Sequence, residues 1–142
     1  MQREIKFRGQ CIDNKEWVYG YYIRYEHMGV VKHIIVTDYS QVYVNSFYVV
    51  PETVGQYTGL KDKNDKEIYI GDIVKCLEVS DTRSEEYISE VFEEECDILV
   101  HGSRMGDTPI AIFFPHPNQI PLTEIEVLGN VFDNPEPLQE VD

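Results

Sequence analysis

Four histidines (His27, His33, His101, His116) and three cysteines (Cys11, Cys76, Cys96) are the residues that could ligate a metal or act as nucleophiles. His27 and His33 stand six apart with no Cys or carboxylate near them at a zinc-site spacing, so the pattern assigns no metal ligand. Cys96 and His101 could act as a nucleophile pair only if the fold brought them together. The acids Glu93, Glu94, Glu95 and Asp97 around that thiol are the opposite of the positive setting that favours a thiolate. Paired carboxylates abound, but among 26 acids such pairs arise by chance, and glycosidase or nuclease chemistry needs a cleft that sequence cannot supply. Neither GxGxxG nor GxxxxGK[ST] occurs, so nucleotide-binding chemistry loses its main support. The residues assign no catalytic position, no cofactor-binding position and no metal ligand. The expectation is a chain that is not an enzyme and carries no cofactor.

The other notable constellation is aromatic. Trp17, Tyr19, Tyr21, Ile23 and Tyr25 alternate in sequence, so on a regular strand they share one face. Core packing is the ordinary use of such a face. A partner-binding surface is the alternative, because Trp and Tyr are enriched at interface hot spots. The residues leave both readings open, and a bulge at Gly20 would split the face.

The elements that must position these residues read as β. Ile5 and Phe7 alternate with Lys6 and Arg8 up to Gly9, which predicts a short first strand. Asp13-Asn14-Lys15 then turns the chain into an aromatic strand from Glu16 to Ile23. Val30–Val36 and Gln41–Val50 are the third and fourth strands, with turn chemistry in Thr37-Asp38-Tyr39-Ser40. Pro51 lacks the N–H a ladder needs and is expected to stop the fourth strand, which places a subdomain boundary there. Ile68–Ile70, Ile73–Val79, Ile110–Phe114 and Glu124–Phe132 read as further strands. No helical repeat or 20–50-residue period recurs, so the pattern is that of small barrels or sandwiches.

Composition bounds the partners. At 142 residues the chain holds one domain or two very small ones. Its net charge of −14 argues against the basic surface that direct nucleic-acid binding requires, and against anionic membranes. Residues 78–97 concentrate nine acids against Arg83 alone, which reads as an exposed hairpin, although Tyr87, Ile88, Val91 and Phe92 argue that part of it packs. Apolar runs such as Ile34-Ile35-Val36 fall far short of the ~20 residues of a spanning helix, and MQREIKFRGQ lacks an apolar leader core. Three widely spaced cysteines suit reduced thiols, so the expected location is the cytoplasm.

Three blocks together carry a family resemblance: REIKFRGQCIDNKEWVYGYYI (Arg3–Ile23), PETVGQYTGLKDKNDKEIYIGDIVK (Pro51–Lys75) and EIEVLGNVFDNPE (Glu124–Glu136). They cover 59 of the 142 residues, and their order and wording resemble the YopX family of bacteriophage and prophage proteins. The resemblance implies a mainly β fold with an SH3-like small barrel in the C-terminal part, working in the bacterial cytoplasm. It carries no established activity and no catalytic residues. The acidic block at 78–97 lies outside it.

Within the central block, Gly55, Gly59 and Gly71 suit turns, and Asp72 can satisfy turn amides through its carboxylate. The competing reading makes Tyr57, Tyr69 and Asp72 a recognition surface. The combined expectation is an N-terminal β meander or pseudo-barrel at 1–50 and an SH3-like barrel at 51–142 with the acidic insertion 78–97. The function expected is that of a phage or prophage accessory protein binding a host or phage protein. The alternatives are an acidic, DNA-mimic-like inhibitor of a host nucleic-acid-binding protein, acting through Glu93–Glu95, and a small hydrolase. Open strand edges also give the chain a physical reason to pair with a second copy.

Overall fold

The computed structural model describes residues 4–39, 44–79, 83–102, 106–114 and 124–136. Eleven strands are present among them, and no helix there is long and apolar enough to cross a membrane. The mainly β class expected from the Tyr, Val and Ile content is what the chain adopts. It packs as two units, Met1–Gly59 and Leu60–Asp142.

The first unit is built from β1 (Phe7–Cys11), β2 (Trp17–His27), β3 (Val30–Tyr39) and most of β4 (Val44–Lys61). Consecutive strands pair antiparallel as a meander, and β1 also pairs with β4, which partly closes the sheet. One face buries Cys11, Ile35 and Val49, with the Phe7 and Tyr22 rings 5.7 Å apart.

Gly9 and Pro51 are used differently from the sequence expectation, and both differences have local causes. Gly9 does not end β1. It lies inside the strand because the position approaches Val49 so closely that a Cβ would sit 3.1 Å from that side chain. Nor does Pro51 stop β4. The β1–β4 register jumps from Arg8↔Gly55 to Gln10↔Val50, so Pro51 sits in a bulge where no ladder N–H is required. Thr53 bridges the gap, its Oγ1 accepting from the Gln10 N–H at 2.9 Å and donating to the Val50 carbonyl at 2.6 Å. The two units meet after Gly59 along the chain. Of the turn expected at Thr37–Ser40, Thr37, Asp38 and Tyr39 belong to β3, and Ser40 lies outside the described residues.

In the second unit β5 (Glu67–Tyr69) neighbours the end of β4. A three-stranded sheet orders β11 (Glu124–Asn130), β6 (Asp72–Val79) and β7 (Ser84–Glu90), and another orders β10 (Asp107–Pro109), β9 (Asp97–His101) and β8 (Phe92–Glu94). Ile68, Val74, Cys76, Val91, Val100, Ile110, Phe113 and Ile125 form its core. Each such aliphatic or aromatic side chain contributes about 1.5–3 kcal/mol on full burial.

The acidic block belongs to this core unit. β7 pairs with β6 from Ile73↔Glu90 to Val79↔Ser84, which sets Tyr87 opposite Cys76 and the buried Ser89 opposite Val74. Ser89 Oγ accepts from the His101 N–H at 2.8 Å, and Val91 is fully buried. Alternation sends Glu86 outward, where it meets Lys75 at 3.4 Å, while Glu85, on the Tyr87 side near the start of the strand, meets Arg83 at 3.8 Å. Ile110–Phe113 is a 3₁₀ turn, not the expected strand, closed by the Phe114 N–H on the Ala111 carbonyl at 3.1 Å. Ile110 and Phe113, three apart and therefore eclipsed in that geometry, enter the core while Ala111 and Ile112 stay outside.

Burial has a measurable consequence at Cys76. Desolvation, with the Glu78 charge adding to it, pushes its thiol up to about 12, and burial likewise raises the opposing Tyr87 phenol. The folded state holds the thiol proton that the unfolded chain releases above pH ~9. Stability should therefore fall as pH rises from about 9 to about 12, with Cys76 contributing about 1.4 kcal/mol per pH unit. Urea unfolding at stepped alkaline pH checks this, and Cys76→Val should flatten the slope.

Candidate protein-interaction face

β2 positions the aromatic residues singled out above. Its pairing with β1 ends at Phe7↔Gly20 and its pairing with β3 begins at Tyr21↔Val36, with no shift of register, so the alternation runs through Gly20 unbroken. Gly20 is a close-approach site. A Cβ there would collide with the Val36 carbonyl oxygen and lie 2.9 Å from the Val36 carbonyl carbon.

Tyr22, on the other side of the strand, stacks on His33 and lies tilted against Phe7, and its hydroxyl meets His33 Nδ1 at 2.6 Å. Tyr19, Tyr21, Ile23 and Tyr25 therefore point the opposite way, and all four are exposed, Tyr21 at 65%. Core packing is not the use the fold makes of them.

Neighbouring strands widen this face. Ile34 lies opposite both Ile23 on β2 and Tyr48 on β4, and Lys32 lies opposite Tyr25. Tyr48 is 51% exposed, and the Lys32 ammonium sits 5.4 Å from its ring centre. A hydrogen bond with Tyr48 raises the Tyr25 phenol above its usual pKa, helped by partial desolvation and the Tyr48 charge. Beside Tyr48 opens a hollow of about 440 Å³, also lined by Ile12, Val31, Lys32 and Pro51. Trp17 is only half-buried and lies under the Arg8 guanidinium, 4.8 Å from its ring centre.

Exposed apolar residues also mark the β2–β3 turn, with Met28 at 89% and Val30 and Val31 beside it. Scattered exposed aliphatics are ordinary, but a contiguous ring-bearing face is a mark of an interaction site. Sequence reading missed Tyr48 because it lies on a different strand, and only the Ile34↔Tyr48 pairing brings it beside Ile23.

The other candidates do not gather into a site. Tyr57, Tyr69 and Asp72 are buried and form no recognition surface. Asp72 instead accepts the Tyr69 N–H at 2.7 Å, the turn role its carboxylate suits. Cys96 sits in the β8–β9 turn and His101 at the far end of β9, about 13 Å along the strand from Asp97, so they make no nucleophile pair. His101 stacks on Phe92 at 4.4 Å and meets Asp107 at 2.9 Å. His27 ends β2, and His116 lies outside the described residues. Among the described residues no group of three His, Cys, Asp or Glu side chains is placed to hold a metal ion.

Charge is divided as sharply as the aromatics. Residues 1–59 carry six bases and six acids, whereas residues 60–142 carry six bases and twenty acids, so the second unit accounts for the entire excess. Glu93, Glu94 and Glu95 are all exposed at the β8–β9 hairpin end.

No curated protein matches the chain. In fold it is similar to the crystal structure of protein EF1440 from Enterococcus faecalis, with a TM-score of 0.56 at 20% identity over 95% of this chain and 98% of that one. The family model described as YopX protein matches residues 6–139, a span that takes in nearly all of both units, and the chain belongs to the YopX family.

Proposed function

We propose that this chain is a non-enzymatic accessory protein of phage or prophage origin that binds a host or phage protein in the bacterial cytoplasm. One observation carries the reading: Tyr19, Tyr21, Ile23, Tyr25 and Tyr48 form an exposed face on a sheet whose opposite side is already packed. Large rings on a rigid strand give contact area at low entropic cost, which is the chemistry of a protein-binding surface.

The test is affinity capture by the tagged chain from lysate of infected bacteria, with the double variant Tyr21→Ser/Tyr48→Ser alongside. If each ring is worth about 2 kcal/mol, loss of both should weaken binding roughly a thousand-fold with an unchanged circular dichroism spectrum. A partner retained equally by the variant, or no specific partner in infected cells, defeats the reading.

A second reading is favoured by the charge division. The acidic unit would occupy the DNA-binding surface of a host protein, and the exposed Glu93, Glu94 and Glu95 would meet its basic residues. That partner would be lost at high salt and in the Glu93→Gln/Glu94→Gln/Glu95→Gln variant, and unchanged affinity at low salt sinks it.

A further inference from the structure

We infer that the open edge of β2 pairs antiparallel with β2 of a second copy, in the register centred on Tyr25. β1 covers one edge of β2 only from Trp17 to Gly20, and β3 takes the other edge from Tyr21 to His27. Among the described residues no strand pairs with β2 on the β1 side beyond Gly20; before Phe7 the chain continues against β4, the Lys6 carbonyl accepting the Tyr57 N–H at 2.9 Å. Residues 21–27 thus offer a row of backbone donors and acceptors to an incoming strand. The arm they form with β3 is mostly exposed on both faces from Ile23 to Val31, and a two-stranded ribbon of that kind is marginal by itself.

The side chains select the occupant and the register. In an antiparallel ladder opposite residues share a face, so a two-fold pairing must be centred on a residue. Centring on Arg24 sets Arg24 against its own copy, and centring on Glu26 sets Glu26 against its own copy. Like charges directly opposite are destabilising. Centring on Tyr25 sets Arg24 against Glu26 of the second copy twice, with Tyr25 against Tyr25 and Ile23 against His27 on the other face. Registers centred nearer Gly20 run into β1, and those centred nearer Gly29 lose ladder length. β2 carries one Arg and one Glu, so the segment that pairs is balanced in a chain of net charge −14. The inference does not depend on the partner-binding face. Edge pairing leaves Tyr19, Tyr21 and Tyr48 open and places two such faces side by side.

One short strand pair buries less than a standard stable interface, so the dimer should be concentration-dependent. Sedimentation velocity of the full chain across a concentration series tests this. The expected result is a monomer that shifts to a dimer, with Arg24→Glu alone and Glu26→Arg alone each reducing dimerisation at least tenfold. The double swap Arg24→Glu/Glu26→Arg should restore it. Both positions of the test, Arg24 and Glu26, are solvent-exposed, and unchanged circular dichroism confirms the fold. A chain that stays monomeric throughout overturns the inference. So does a dimer indifferent to the single reversals, or one the double swap fails to restore. Capture of another protein by the ring face is a separate readout and succeeds or fails independently.

Discussion

Asp62→Ala should lower stability by about 3–4 kcal/mol, the largest effect expected of any single polar substitution in the chain. The side chain is 7% exposed and accepts three backbone amides. Its Oδ1 takes those of Asn64 and Lys66, each at 2.9 Å, and its Oδ2 takes that of Val127 at 2.8 Å. The first two bonds shape the turn between β4 and β5. The third reaches 65 residues along the sequence to β11, next to a Lys63 N–H that donates to the Ile125 carbonyl at 3.1 Å. Bonds to a charged acceptor are each worth about 1.5–3 kcal/mol, discounted here because water can reach the turn amides once the carboxylate is gone.

At about 2–4 °C per kcal/mol for a chain of this size, the midpoint of thermal unfolding should fall by roughly 10 °C. Asp62→Asn keeps one acceptor oxygen and should lose about half as much. Calorimetry gives the totals, and amide exchange at Val127 should accelerate in Asp62→Ala before global unfolding does. A loss under about 1 kcal/mol would show that the β11 amide finds another acceptor.

Gly20→Ala should be the most damaging change in the first unit, at about 3 kcal/mol, the upper part of the range for overpacked sites. The added methyl meets backbone, the Val36 carbonyl oxygen and carbon and the Thr37 Cα at 3.2 Å, so no rotamer change relieves it. Strand β3 must withdraw from β2 or β2 must slip, and a slip by one residue would turn Tyr21, Ile23 and Tyr25 inward. The check is urea unfolding together with amide chemical shifts, which should move most at Val36, Thr37 and Tyr21. An Ala variant as stable as the wild chain would mean that β2 and β3 are spaced more widely than described. If the ring face also binds a partner, Gly20→Ala should weaken binding without removing a single ring.

Much of the architecture follows from local pattern. The turn at Asp13-Asn14-Lys15, the second and third strands, the pair around Gly71 and the last strand are all legible from alternation and turn residues. The strand ends were less so. Gly9 and Pro51 are usual stops, yet the first is held in a strand by Val49 and the second by a bulge against β1 in which Thr53 takes the Gln10 N–H, and Val49 and Gln10 are distant in sequence from the residues they hold. Ile110-Ala111-Ile112-Phe113 supports either a period of two or a period of three, and the core selected three. Residues 78–97 misled through composition, because nine acids hid the alternation that places Tyr87, Ser89 and Val91 inward.

For the candidate site, the single strand was visible and its surroundings were not. By itself the sequence determined that Trp17, Tyr19, Tyr21, Ile23 and Tyr25 share a side, since strand geometry alternates side chains whatever they pack against. It also determined the excess of acid. Only the tertiary structure decided that this side faces solvent, because burial depends on which face the other strands cover. Here Phe7, Ile35 and Val49 gather on the Tyr22 side and leave the rings outside. Only pairing between strands brought Tyr48 and Lys32 beside them, since register is a contact between segments and is written in neither segment alone.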